Sequence, residues 1–221
     1  MEHGQVETFL HEFGHLLHNM FSGNQKWHSI TGMSMERDFV EAPSQMLEEW
    51  VWDYDTLKKF ATNDADEVIP KTLVEKMNKA RNFGQAIGTA TQIYYANLSL
   101  NFYNKDPQTF ELMETMKKLS DQYNPYPHVE GTAFYTNFGH LNGYSSNYYT
   151  YQWSLAIATD LFSRFEKEGL RNTKVSKEYR DKVLGAAGSK PAKQFVADFL
   201  GREFTTQAYI DKLKKVADSQ Y

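Results

Sequence analysis

Apolar residues recur at three- and four-residue steps near the start of the chain: Val6, Phe9, Leu10, Phe13, Leu16, Leu17 and Met20. That period sets apolar side chains along one side of a helix, so it predicts an amphipathic helix over about 4–21. A second set, Phe39, Val40, Met46, Leu47, Trp50, Val51, Tyr54 and Leu57, predicts a helix over about 38–60. Pro43 fits that helix only in its first turn, where no intrahelical N–H is lost, and Asp38 suits the N-cap. Further helices are expected over about 70–103, 106–121, 145–168, 176–187, 190–200 and 205–217. Gly84 and Gly88 bend or interrupt the 70–103 segment, and Asp106-Pro107 marks a fresh start. Asn124-Pro125-Tyr126-Pro127 opens an irregular stretch to about residue 144. Strand patterns are scarce and no repeat is found, so the expected class is mainly α.

The first helix carries His11-Glu12-Phe13-Gly14-His15. Residues four apart on a helix are neighbours, so His11 and His15 can converge on one ion. A catalytic zinc takes three protein ligands and keeps a fourth position for water. Glu12 lies beside the pair and could take the proton of a water whose pKa the metal lowers to about 7. The extended pattern HExxHxxGxxH is not met, because position 18 is His18 and position 21 is Phe21. A third ligand from the same helix would strain a tetrahedral site, which disfavours His18 and points to a carboxylate on the second helix. Glu41 falls in the first turn of that helix between apolar residues, where a carboxylate needs a partner, and a metal is one. Glu48 and Glu49 read as solvated helix charges. A zinc-bound histidine usually donates its other ring N–H to a carboxylate or carbonyl. Glu7, four residues before His11, could fill that place, with Asp38 and Ser44 as other candidates.

Composition narrows the partners more than the fold. A net charge of −4 gives no sign of a nucleic acid or an anionic membrane as partner. Aromatic residues, 15% of the chain, are abundant enough to line a peptide cleft. The absence of cysteine excludes disulfides, Cys-type zinc sites and a thiol nucleophile. No apolar run reaches the roughly 18 residues of a membrane span, and no signal-peptide pattern is seen. The expected location is the cytoplasm.

Two separated stretches, VETFLHEFGHLLH and ERDFVEAPSQMLEEW, resemble the thimet oligopeptidase family, which includes oligopeptidase A, neurolysin and dipeptidyl carboxypeptidase. The resemblance implies a zincin-type HExxH helical catalytic domain, part of a two-lobed α-helical peptidase fold with a deep channel. It implies one zinc ion per chain, held by His11, His15 and Glu41, with Glu12 as general base. Residues 1–221 would form the catalytic domain: active-site helices at 4–60, a helical body at 70–121, a substrate-binding lid loop at 125–151 and C-terminal helices at 152–217. The segment from Asn137-Phe138-Gly139-His140-Leu141-Asn142-Gly143-Tyr144 to Tyr148-Tyr149-Thr150-Tyr151 resembles that lid. Its family roles, binding the peptide and stabilising the oxyanion, fall on His140, Tyr144 and Tyr151, with Tyr148 close by. Imidazole and phenol groups can hydrogen-bond the developing oxyanion of a tetrahedral intermediate. The chain departs from the family in having one glycine, Gly143, where two are usual, and Ser145-Ser146 where an aspartate and an alanine are usual. The stretch YRDKVLGAAGSKPAKQFVADFLGRE resembles the end of these enzymes.

Family members are much longer, with most of the extra length before the HExxH helix. The expected activity is zinc-dependent endopeptidase cleavage of short unstructured peptides, with release of C-terminal dipeptides as an alternative. The other reading is a zinc- and peptide-binding piece that is inactive without the missing N-terminal lobe. That lobe is then the expected polypeptide partner.

Overall fold

The structure, a computed structural model, describes residues 1–81 and 83–218. Asn82, inside the expected 70–103 helix, lies outside the described residues. So do residues 219–221, the end of the expected catalytic domain. The fold is mainly α, as the periodicity predicts: among the described residues no strand forms, and one antiparallel bridge pairs Thr62 with Val68. The described chain divides into two compact units, Met1–Phe83 with Ser154 onward, and Gly84–Trp153.

The first unit is built around α1, His3–Phe21. A capping box opens it, with the Glu2 N–H donating to Gln5 Oε1 at 2.9 Å. The segment expected as one helix over 38–60 is several short pieces. A 3₁₀ turn, Arg37–Phe39, leads to α2, Ala42–Glu48, then a second 3₁₀ turn, Glu49–Trp52, and α3, Tyr54–Leu57. Pro43 does sit in the first turn of α2, but the N-cap residue is Glu41, not Asp38. Asp38 belongs to the preceding 3₁₀ turn. Asp53 caps α3, its carboxylate accepting from Thr56 N–H at 2.9 Å.

α1 meets α2 at Gly14. A methyl group there would stand 2.6 Å from Ser44 Cα and 3.1 Å from the Pro43 carbonyl oxygen. Only a residue without Cβ lets the two helices approach this closely. Behind the contact, Phe39 and Met46 enter a buried cluster with Leu161 and Phe165 of α8, Thr150–Glu168. Val175 of α9, Thr173–Tyr179, and Phe195 and Phe199 of α10, Ala192–Leu200, complete its centre. A π-helical turn, Arg180–Leu184, continues α9 and buries Val183 and Leu184. α10 ends at Gly201, whose φ of 71° is the left-handed conformation common at helix C-termini. Beyond it Arg202 folds back on Asp160, which is 1% exposed and takes two guanidinium N–H bonds at 2.6 and 2.8 Å. Thr205 N–H adds a third bond at 3.0 Å, so the buried charge is fully paired.

α4, Lys71–Arg81, and α11, Gln207–Asp218, close this unit on one carboxylate. Glu49 receives Arg81 through two bonds at 2.7 and 2.8 Å and Lys212 at 2.7 Å. Burial opposes its charge, but Arg81 and Lys212 outweigh burial and hold it below its ordinary value of 4.5. Arg81 also lies over the Trp52 ring, 4.4 Å from its centroid.

The second unit pairs α5, Gln85–Tyr103, with α6, Leu112–Tyr123. Gly84, with φ 73°, is the left-handed residue that starts α5, so the expected 70–103 helix is interrupted there. Tyr94, Leu98, Met116 and Leu119 are buried between the two helices with Phe138, Leu141 and Tyr148. After α6 an irregular stretch runs to α7, a single turn at His140–Gly143. Two bonds from α5 fix the backbone around it: Tyr103 Oη donates to the Leu141 carbonyl at 2.6 Å, and Ser99 Oγ to the Tyr144 carbonyl at 2.9 Å.

Two outcomes follow from these contacts. Gly14→Ala gains helix propensity of about 1 kcal/mol but forces α2 away, an overpacking cost of about 1–3 kcal/mol or more. The expected result in urea unfolding is a net loss of stability. Glu49→Gln should be less stable than the unchanged chain at pH 7. Because the folded carboxylate is held below 4.5, its contribution is present above that value and lost as pH falls through the lower folded value. The gap between the two thermal midpoints should therefore narrow as pH drops below about 4.5.

Candidate functional site

Three side chains of the first unit converge. His11 and His15 come from successive turns of α1, and Glu41 from the N-cap of α2. One oxygen, Glu41 Oε2, lies 3.2 Å from His11 Nε2 and 3.2 Å from His15 Nε2. The three ligand atoms all fall within 4.8 Å of one another. Zinc bonds of about 2.0–2.2 Å in a tetrahedron put ligand atoms about 3.3 Å apart, so these separations suit one ion held by two imidazoles and a carboxylate. Glu41 is 2% exposed, and Ser44 Oγ lies 3.4 Å from its Oε2 and donates to the Glu41 backbone carbonyl at 2.9 Å. The set of two nitrogens and one oxygen fits zinc.

The field here favours positive charge. Burial works against a charged His11, but hydrogen bonds to Glu41 and Glu48 overcome it and carry the imidazole up to about 10. The Glu48 contact is the shorter: His11 Nδ1 to Glu48 Oε1 is 2.6 Å. Glu48 is thus no solvated helix charge, and it occupies the orienting place assigned to Glu7, Asp38 or Ser44. Glu7 instead accepts from Trp52 Nε1 at 3.0 Å. Burial is the main cause that raises the Glu48 carboxyl, opposed by His11 and reinforced by the like charges of Glu7 and Glu49. Sequence spacing held the signal for Glu48, which lies seven residues, two helical turns, after Glu41.

Glu12 is exposed on α1, next in sequence to His11. His18 is fully buried, edge-on to Phe39 with ring centroids 6.2 Å apart. Burial, with the nearby charge of His15, lowers it to about 4, so it packs as a neutral ring outside the ligand group.

His140, Tyr144 and Tyr151 belong to the second unit and lie together there. The His140 ring is 5.8 Å from Tyr144 and 5.7 Å from Tyr151, centroid to centroid. The two tyrosine rings are 5.3 Å apart. His140 also stands edge-on to Tyr148 at 5.3 Å. Tyr148 is buried, and its hydroxyl pairs with Gln92 Oε1 at 3.0 Å, so this tyrosine braces the cluster from α5. Burial raises its phenol to about 12, which keeps it neutral. The segment expected as a loop is partly regular: α7 places His140 and Leu141 in one turn, and Ser146 takes a left-handed φ of 58°. No helix among the described residues is long and apolar enough to cross a membrane.

Relatives of this chain carry peptidase names. It is 34% identical over 215 residues to the thimet-like oligopeptidase of Dictyostelium discoideum, an alignment that covers 95% of this chain and 32% of that protein. It is 31% identical to oligopeptidase A of Escherichia coli, covering 95% of this chain and 32% of the relative. The mitochondrial intermediate peptidase of Arabidopsis thaliana is 31% identical over 92% of this chain and 29% of its own length. The chain thus spans about a third of the length of the curated relatives it matches. The profile of Peptidase family M3 matches residues 1–215, which takes in His11, Glu12, His15, Glu41 and the His140 segment alike, and the chain belongs to that family.

Proposed function

We propose that this chain carries the catalytic centre of a zinc-dependent peptidase that hydrolyses short peptides. The observation that carries this reading is the meeting of His11, His15 and Glu41 with Glu12 beside them on α1. A zinc ion held there would supply a Lewis acid for the scissile carbonyl and a water acidified to about pKa 7. Glu12 takes the proton of the attacking water and returns it to the leaving amine, a general acid–base role worth about 10²–10⁴-fold. Glu48 holds the His11 ring with Nε2 turned toward Glu41, as the 2.6 Å contact to Nδ1 indicates. His140, Tyr144 and Tyr151 are assigned to binding the peptide and hydrogen-bonding the oxyanion, on the family motif and their mutual clustering. The proposed compartment is the cytoplasm. One relative, of Arabidopsis thaliana, is named a probable cytosolic oligopeptidase A, and others are named as organellar.

A second reading is favoured by the chain's spanning a third of its relatives: the piece binds metal and peptide but needs further polypeptide for turnover. One experiment separates the two. A quenched-fluorescent peptide is incubated with the purified chain, and bound metal is quantified. Under the first reading turnover accompanies zinc near one per chain. Glu12→Gln then keeps the metal and lowers kcat by about 10²–10⁴-fold. Zinc retention without turnover in the unchanged chain supports the second reading. Loss of metal from the unchanged chain would remove both.

Glu48→Gln checks the orienting contact. Zinc affinity by competition with a chelator should fall about 10–100-fold, and Glu48→Asp should recover part of it. The absorption bands of a cobalt-substituted sample should shift in Glu48→Gln. An unchanged affinity and spectrum would limit Glu48 to packing.

A further inference from the structure

Polar side chains of α5 divide by where their hydrogen bonds go. Thr91, Asn97 and Asn101 turn back on their own helix, donating to the carbonyls of Ile87, Ile93 and Asn97 at 2.9–3.0 Å. That is the ordinary habit of such residues inside a helix. Gln92, Ser99 and Tyr103 reach away from it. Gln92 Oε1 accepts from the Tyr148 hydroxyl at 3.0 Å, Ser99 Oγ donates to the Tyr144 carbonyl at 2.9 Å, and Tyr103 Oη donates to the Leu141 carbonyl at 2.6 Å. At about 100° per residue these three fall within a sector of about 40°. One stripe of one helix therefore grips the segment from Leu141 to Tyr148 at three points.

The grip is doubled from within the segment. The Leu141 carbonyl also accepts from Ser145 Oγ at 2.7 Å, and the Tyr144 carbonyl from Asn147 N–H at 2.9 Å. Tyr144 N–H donates to the His140 carbonyl at 2.7 Å. The left-handed residue of the segment is Ser146, at φ 58°, although Gly143 stands three residues before it at the end of α7. A side chain in that conformation is strained and persists where surrounding contacts impose it. We infer that Gln92, Ser99 and Tyr103 are positioning residues, which set His140 and Tyr144 in their binding geometry before a peptide arrives. In this chain the segment is then a fixed cradle and not a closing lid. The inference rests on the assignment of His140 and Tyr144 to the peptide made above. Its benefit is preorganisation, since a loop already ordered loses less freedom on binding. Tyr151 needs no such support, because it lies in the first turn of α8.

Amide hydrogen exchange, read residue by residue by NMR on the full chain, tests the anchoring without zinc or turnover. The Tyr144 and Asn147 amides should be protected in the unchanged chain, and adding peptide should not slow them further. Ser99→Ala and Tyr103→Phe should each speed the pair about fivefold, the effect of one lost hydrogen bond, while α6 keeps its rates. Asn97→Ala, which removes a side chain that bonds back on its own helix, is the control and should leave the pair unaltered. A fluorescein-labelled short peptide is then titrated by anisotropy in a Glu12→Gln background, so that it is not consumed. Its affinity should fall about fivefold with Ser99→Ala and with Tyr103→Phe, at unchanged metal content, and stay constant with Asn97→Ala. Fast exchange that slows on adding peptide would reveal a closing lid and overturn the proposal. Unaltered exchange in both Ser99→Ala and Tyr103→Phe would overturn it as well, as would faster exchange with peptide affinity unmoved. If the unchanged chain bound no peptide, the functional reading and the positioning role would both fall, and exchange alone would still decide whether the segment is anchored.

Discussion

The contact on which this structure depends is the backbone approach of α1 and α2 at Gly14. His11 and His15 stand on one helix and Glu41 at the head of the other, so the distance between the helices sets the distance between the ligand atoms. With Ser44 Cα only 2.6 Å from where a Cβ would lie, that distance has almost no slack. The two separations of 3.2 Å to Glu41 follow from it. Apolar burial around Phe39 and Met46 presses α2 inward, and Gly14 decides how far it travels. The glycine between the two histidines is therefore as much a part of the geometry as the histidines.

Charge is arranged around this contact in layers. Glu41 and Glu48 approach His11 from two sides, and Glu7 and Glu49 lie behind Glu48. Such a gathering of carboxylates would repel itself apart without compensation. Glu49 is neutralised by Arg81 and Lys212, drawn from α4 and α11, and Glu7 is held by the Trp52 indole. Glu41 and Glu48 face the His11 imidazole, and Glu41 faces that of His15 as well, where a cation fits.

Much of this was legible in the sequence. The period of α1 is clear over five turns, and spacing and motif together point to His11, His15 and Glu41, which the structure brings together. The mainly α class followed from the scarcity of alternation. The segment 38–60 was harder, because its apolar spacing suits a helix of 3.0 residues per turn nearly as well as one of 3.6. A continuous helix was expected where α and 3₁₀ turns alternate, and Asp38 was placed at a cap it does not occupy. Glu48 was misread because a charged residue beside another on a helix is usually solvated. Its partner lies 37 residues away, and only the seven-residue step from Glu41 points to it. Tyr148 looks no different from Tyr144 and Tyr151 in the sequence, and only the bond to Gln92 shows it to be a support.

The placement of Glu41 has a consequence for how the chain holds together. An ion bound by His11, His15 and Glu41 would be a cross-link between two helices that are not continuous in sequence. Each species that binds the folded chain and not the unfolded one shifts the folding equilibrium, by about 2.7 kcal/mol at a hundred times the dissociation constant. Metal supply would then raise or lower the stability of the folded unit. The same three atoms that place a reactive centre would act as a noncovalent staple, tightened or loosened by the surrounding metal activity.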